Sequence, residues 1–321
     1  MKHGDIPKSL AQTLTVIREQ IAKANIPPSA LDETLKIATW NIRRFGAKDR
    51  SKAAIHCIAE ILNQFDLIAI TELNNRLGDL SRTMKLLGPY WRVIYNDTIM
   101  DRQGNQERIG YLFDSRVVRF TGLAAEADPA RQIDPTTGEA LPAFTFWRAP
   151  FIASFQAGTF DFILVTAHTR WGSKAKDRLA PIKGIAQWIK AMTANPQQRD
   201  KDIILMGDFN IPSMKPRSKY YRAITSGGLR VPPGLEDVKT TTLSKGKRYD
   251  QILHYPQSTS NFTGNGGTVD FWDHGRLWKT GFGHLSKTRF THQLSDHLPL
   301  WVEINVDTEQ EALDQILNRY P

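Results

Sequence analysis

The stretch IILMGDFNIPSM, residues 203–214, runs from an apolar segment, Ile203 to Met206, through Gly207 to Asp208 and Asn210, with Phe209 between them. Such a run suits a buried strand better than a helix by its length. Asp and Asn are common turn residues and Ile211-Pro212 follows, so a plain loop is one reading. The other is a strand whose end presents a carboxylate and a carboxamide to a metal or a phosphate. The remainder of the chain must supply partners for the second reading to hold.

It supplies them at the boundaries of other apolar runs. IATWNI carries Asn41, IAITEL carries Glu72, and LVTAHT carries His168. RYDQIL opens a strand with Asp250, and LSDHLPLWVEI places Asp296 and His297 just before the last strand. Each alone has an ordinary explanation as a turn, a solvated end or a core histidine. Their recurrence at one apolar run after another is harder to explain as independent loops. The chemistry that suits them is phosphate-ester hydrolysis. Hard oxygen donors such as Glu72 and Asp296 select Mg²⁺ or Mn²⁺, and a divalent cation neutralises a phosphodiester. An imidazole can hydrogen-bond a phosphate oxygen or move a proton when a carboxylate orients it.

Composition bounds the rest. The chain has 321 residues, of which 40% are hydrophobic, and a formal net charge of +9. That is a globular balance with ample length for a core, and the positive sign suggests a polyanionic partner. Cys57 is the only cysteine, which excludes an internal disulfide and a cysteine-based zinc site. No apolar run approaches the roughly 18 residues a membrane span needs. The first residues, MKHGDIPKSLAQTLTVIREQ, lack the apolar core of a signal peptide, so a cytoplasmic location is expected.

Residues 7–24 place Leu10, Leu14, Ile17 and Ile21 on one helical face, and Pro27 and Pro28 end that helix. Its polar face carries both signs of charge, which favours docking on the core over a membrane surface. Strands are expected at KIATWNI, DLIAIT, RVIYN, IGYLF, APFIASF, FDFILVTAH, DIILMG, YDQILHY and LPLWVEI. Helices are expected at about 51–64, 177–193, 218–226 and 308–319, with long loops at 122–142 and 257–292. There is no short internal repeat and no low-complexity linker, so one domain of strands with intervening helices is predicted.

The spaced set TWNIRRFG, ITELN, QERIGYLFD, FWRAPFIASF, LVTAHTRWG, LMGDFN, YDQIL and SDHLPLWVEI resembles the endonuclease/exonuclease/phosphatase superfamily, and within it the DNase I-like branch. The motifs run in the family's order from about residue 36 to 305. The resemblance implies an α/β fold, a four-layer sandwich of two packed mixed β-sheets flanked by helices. It implies a domain over 35–306, with 1–34 as an N-terminal helical extension and 307–321 as a C-terminal helix. It implies a Mg²⁺ cofactor, with Mn²⁺ as an alternative, held by Glu72 with Asn41 beside it and Asp296 opposite. Asp208 and Asn210 correspond to the pair that positions the attacking water and the phosphate. His168 and His297 correspond to the catalytic imidazoles, braced by Glu107 and Asp250 respectively, and Arg148 to a phosphate-contacting arginine. The sequence departs from the family in two ways. Secreted DNases carry disulfides that this chain cannot form. The abasic-site repair enzymes carry an Arg-Ile-Asp pattern where this chain reads RYDQIL.

Basic residues cluster beside these motifs. Arg43, Arg44, Lys48, Arg50 and Lys52 follow Asn41; Arg170, Lys174, Lys176 and Arg178 follow His168. Lys215, Arg217 and Lys219 follow Asn210, and Lys245, Lys247 and Arg248 precede Asp250. The four clusters are expected to ring one opening, as a nucleic-acid backbone requires. Arg43, Arg44, Arg170, Lys174, Lys176, Lys215 and Lys219 are the candidate DNA contacts. Phe45, Trp171 and Tyr220 are candidates for stacking on bases. The sequence therefore reads as a divalent-metal-dependent nuclease acting on DNA, with RNA open. A lipid or small-molecule phosphodiesterase and a catalytically silent binding module on the same fold are the alternatives.

Overall fold

The computed structural model describes residues 1–98, 106–129, 131–142, 146–172, 174–197, 200–309, 313 and 317. The described strands are β1 (Thr34–Phe45), β2 (Leu67–Leu73), β3 (Trp91–Tyr95), β4 (Arg108–Asp114), β5 (Arg119–Glu126), β6 (Arg131–Ile133), β7 (Ala140–Pro142), β8 (Phe151–Ala157), β9 (Phe160–His168), β10 (Ile203–Asp208), β11 (Asp250–His254), β12 (Phe262–Thr268) and β13 (Leu300–Asn305). The α-helices are α1 (Lys8–Ala22), α2 (Lys52–Leu62), α3 (Gly78–Leu87), α4 (Leu179–Ala194), α5 (Lys219–Ile224), α6 (Arg276–Gly281) and α7 (Lys287–Gln293).

Two mixed sheets result, ordered β12-β13-β1-β2-β4-β3 and β11-β10-β9-β8-β5. The pairs β1–β2 and β9–β10 are parallel, and the other pairs within these sheets are antiparallel. The side-chain period of two sorts each strand into an inner and an outer set. Ile37, Tyr111, Phe155, Leu164, Met206 and Val302 face one another between the sheets. Trp40, Ile42, Ile68 and Ile70 instead face α1 and α2 through Leu14, Ile17, Ile55 and Ile58. Val165, Ile203 and Leu205 face α4 through Ile182, Ile185 and Ile189. Central strands are covered on both faces, which is why their sequences read as unbroken apolar runs. The outcome is the four-layer α/β sandwich expected above.

The two segments read as long loops contain regular structure. β5 lies at one sheet edge and extends into the first segment, and β6 and β7 form a small exposed hairpin. The second segment holds β12, α6 and α7. β12, FTGNGGT, is poor in strand-forming residues, and its pairing with β13 overrides that propensity. α3 was also hidden from periodicity, being short and polar on most of its surface. Most of the helix expected at 308–319 lies outside the described residues. α1 buries Leu10, Leu14, Ile17 and Ile21 in the same cluster as α2. Cys57 is a buried free thiol. No helix among the described residues is long and apolar enough to cross a membrane.

Candidate active site

Strand register assembles one wall of the site. Asp208 pairs with His168 on parallel β9 and with Asp250 on antiparallel β11. Residues in register on neighbouring strands point to the same face, so the three side chains form one row. Gly207 allows this approach: its φ is +128°, and a Cβ there would lie 2.1 Å from the Ala167 carbonyl oxygen.

The opposite sheet supplies the other wall. The Asn41 side-chain amide donates to Glu72 Oε1 and to Asp208 Oδ2, each at 3.0 Å, bridging the two sheets. The Arg44 amide donates to Glu72 Oε2 at 2.8 Å. Glu72 has φ +61° and Asn210 φ +52°, left-handed conformations that are costly for non-glycine residues and concentrate at functional sites. The Asn210 amide donates to Asp208 Oδ1 at 2.8 Å, and its side chain donates to the Thr169 carbonyl at 2.8 Å.

The imidazoles and carboxylates alternate. Glu107 Oε1 lies 3.0 Å from His168 Nδ1, and Asp250 Oδ2 lies 2.7 Å from His297 Nδ1. The Nε2 atoms of His168 and His297 approach Asp208 Oδ2 from two sides at 3.6 and 3.8 Å. Those gaps exceed a hydrogen bond, so neither Nε2 is committed to Asp208. Burial disfavours charge on His297, but Asp250 and then Asp208 outweigh it and lift its pKa to about 10. Burial likewise acts against charge on His168, and the Glu107 carboxylate overcomes it, raising the pKa. Burial pushes the Glu107 carboxyl up, but His168 and Arg148 together bring it below the usual value. Arg148 pairs with Glu107 through Nε.

These groups open into a cleft of about 650 Å³ lined by Glu72, Arg148, His168, Arg170, Asp208, Asn210, Asp296 and His297. Trp147, Trp171, Gly172, Ser244 and Tyr249 complete its lining. The oxygen donors fit a hard divalent cation. Among the described residues Asn41 Oδ1 is buried with no hydrogen-bond partner, and such an orphan acceptor is costly without a ligand. It lies beside Glu72, while the Asp296 side chain is half exposed on the cleft and pairs with Arg43 at 3.4 Å. Among the described residues the two groups of three side chains whose ligand atoms lie within 4.8 Å of one another are instead Glu72–Glu107–His168 and Asp208–Asp250–His297. In both, the imidazole Nδ1 is already matched by a carboxylate. Glu72 Oε1 and Oε2 each accept one hydrogen bond, and among the described residues Glu107 Oε2 and Asp250 Oδ1 are, like Asn41 Oδ1, buried without a partner, so oxygen donors for a hard cation are present in both groups.

The expected basic ring is only partly present. Arg170 lines the cleft and stacks on Trp147, its guanidinium carbon 4.2 Å from the ring centroid. Arg43 is half-buried and donates to Thr291 Oγ1 at 2.6 Å. Arg44, Lys174, Lys215 and Lys219 are exposed but do not line the cleft. The side chain of Lys176 lies outside the described residues. Three arginines of the clusters are internal struts. Arg50 is 1% exposed at its side chain and pairs with Asp79. Arg178 donates to the carbonyls of Asn210 and Trp171, and Arg248 to that of Val238. Buried guanidiniums of this kind satisfy loop carbonyls, which a sequence count of charges cannot distinguish from solvated ones. Phe45 and Tyr220 are core residues, whereas Trp171 is 53% exposed.

Sequence reasoning missed Trp147, Tyr249 and Ser295. Ser295 accepts from the His297 amide at 2.9 Å and donates to the Asn41 carbonyl at 2.6 Å, tying the Ser-Asp-His turn to β1. Its place at the head of that tripeptide was the available signal. Trp147 adjoins Arg148 in sequence and is 36% exposed.

A four-layer sandwich with carboxylates, amides and imidazoles converging at one end of its sheets is the frame of a phosphate-ester hydrolase. The model of the Endonuclease/Exonuclease/phosphatase family matches residues 38–297, and the chain belongs to that family. A deoxyribonuclease of Thioalkalivibrio sp. (strain K90mix) is 27% identical over 308 residues, covering 89% of this chain and 75% of the relative. The human Nocturnin catalytic domain, solved with bound sulfate, is 15% identical with a TM-score of 0.56, covering 86% of this chain and 95% of that one. A family protein from Leptotrichia buccalis C-1013-b is also 15% identical at 0.56, covering 84% and 99%. These solved structures share the fold.

Proposed function

We propose that this chain is a divalent-cation-dependent nuclease that hydrolyses phosphodiester bonds of DNA. The observation that carries the reading is the row His168–Asp208–Asp250 on one sheet, met by Asn41 and Glu72 from the other and by His297. The net charge of +9 and the relative named deoxyribonuclease support a nucleic-acid substrate.

Asn41, Glu72 and Asp296 would hold Mg²⁺ or Mn²⁺. When bound, the cation neutralises the phosphate and stabilises the charge that develops on it. Asp208, fixed by Asn41 and Asn210, orients a water for in-line attack and accepts its proton. His168 and His297, held charged by Glu107 and Asp250, direct Nε2 protons into the cleft. Together with Asn210 and Arg148 they stabilise the pentacovalent charge. Arg170, which lines the cleft, contacts the flanking backbone in this reading.

Digestion of supercoiled plasmid, linear duplex and single-stranded DNA, with Mg²⁺, with Mn²⁺ and with EDTA, tests this. Cleavage that EDTA abolishes and Mg²⁺ restores is expected. Turnover of small phosphate esters but of no nucleic acid would replace the nuclease reading with that of a small-molecule phosphoesterase.

A further inference from the structure

A second pocket, of about 490 Å³, lies beyond the catalytic cleft, between the turn that follows β1 and helix α7. Its walls carry Arg44 and Lys48 from the turn and Arg289 and His292 from the α7 side, over an apolar floor of Ala47 and Leu285. Asp49 is the one acid among its lining residues, and it pairs with Arg76 at 3.4 Å. Among the described residues Arg44, Lys48 and Arg289 form no ion pair, and all three are exposed, so this open pocket carries three cations free to meet an anion. Exposed like charges grouped around one pocket raise the local potential that draws a polyanion.

The pocket is pre-built. Arg43 Nη1 donates to Thr291 Oγ1 at 2.6 Å, Arg50 Nε to the Gln293 carbonyl at 3.0 Å, and the Ser51 amide to Gln293 Oε1 at 2.9 Å. These bonds pin the end of α7 to the turn. The pocket also adjoins the site, because Arg44, which lines it, donates its backbone amide to Glu72. α7 belongs to the segment that no sequence motif covered.

We infer that this pocket seats a second phosphate of the substrate strand, flanking the one being cleaved, with the adjacent nucleotide against Ala47 and Leu285. The inference rests on the nuclease reading for its substrate. It explains why α7 is fastened to the site although it contributes no group to the cleft. It also separates polymeric substrates, which reach both places, from small diesters, which reach one.

The test compares the wild type with the double variant Lys48→Ser/Arg289→Ser, and with Lys48→Arg/Arg289→Lys as the charge-conserving control. Binding of a short single-stranded oligonucleotide is followed in EDTA as salt is raised, and hydrolysis of bis-p-nitrophenyl phosphate and of DNA is followed with Mg²⁺. The serine pair is expected to lower the slope of log affinity against log salt by about 0.7 for each phosphate released. It should also reduce kcat/KM on DNA while leaving the small diester unchanged, and the control should resemble the wild type. Equal salt slopes and equal DNA cleavage in wild type and serine pair overturn the subsite and leave the nuclease standing. Equal losses on DNA and on the small diester also overturn it, since a structural defect would explain both. Pair-dependent binding of the oligonucleotide without hydrolysis keeps the subsite and overturns the nuclease. No oligonucleotide binding by the wild type overturns both.

Discussion

Asn41 and Asp208 stand on opposite sheets, 167 residues apart, and the Asn41 amide donates to the Asp208 carboxylate at 3.0 Å. The same amide donates to Glu72, which leaves the buried Asn41 oxygen as the one acceptor of the trio without a partner. The bridge ties the two sheets together at this end of the sandwich and leaves that oxygen free for the cation proposed above.

Removing the cation ligands should therefore act through metal affinity. Glu72→Gln is expected to nearly abolish DNA hydrolysis with the fold intact, and Asn41→Ala to weaken Mg²⁺ binding by about tenfold to a hundredfold. Titration calorimetry with Mg²⁺ and the Mg²⁺ dependence of turnover are the measurements. A Glu72→Gln protein that works at the wild-type rate in subsaturating Mg²⁺ would end the assignment.

The two imidazoles flank one carboxylate oxygen at 3.6 and 3.8 Å, and in the proposed reaction they serve one phosphate. His168→Ala and His297→Ala should each cost orders of magnitude in kcat. The double variant should lose far less than the product of the two, because groups of one catalytic unit are non-additive. Multiplicative losses in single-turnover assays would assign the imidazoles to separate steps.

Glu107 and Asp250 sit behind the histidines, at 3.0 and 2.7 Å from Nδ1. Glu107→Gln and Asp250→Asn keep the volume and remove the charge that favours the imidazolium. We expect kcat to fall about tenfold to a hundredfold, less than on removal of the histidine itself. Glu107→Gln should be the more severe, since Arg148 also loses its partner. The pH profile of kcat should shift to lower pH in both, and an unmoved profile would show that the carboxylates do not set the imidazole charge.

A separate histidine pair is expected to make stability depend on pH in the acid range. His3 Nδ1 and His56 Nδ1 are 2.7 Å apart, and His3 Nε2 is 2.5 Å from Glu60. A short contact between two ring nitrogens needs one bare lone pair. Burial, then the charges of His3 and Lys52, lower the His56 pKa to about 4 from 6.5. Between those values the unfolded chain binds a proton that the folded chain refuses, so stability falls as pH drops from about 6.5 to about 4. Thermal unfolding across that window should show a steeper pH dependence for the wild type than for His56→Gln. Parallel curves would remove the linkage.

Much of this protein was legible in the chain alone, because burial on both faces of a central strand leaves an unbroken apolar run and polar residues can then gather only at its ends. That placed Asn41, Glu72, His168, Asp208, Asp250 and the Asp296–His297 pair at strand boundaries. The buried face of α1 was equally readable from its period. Register was not legible: a one-residue slip between β9 and β10 would separate His168 from Asp208, and nothing local in either strand fixes it. The fate of the arginines was also hidden. Arg43 and Arg50 carry the same charge seven residues apart, but one pairs with Asp296 at the cleft and the other is enclosed against Asp79. Charge is a property of the residue, whereas solvation depends on which carbonyls and carboxylates the folded chain brings to it. For the same reason only the tertiary structure could make β12 a strand, and only it could close a cationic pocket between the β1 turn and α7.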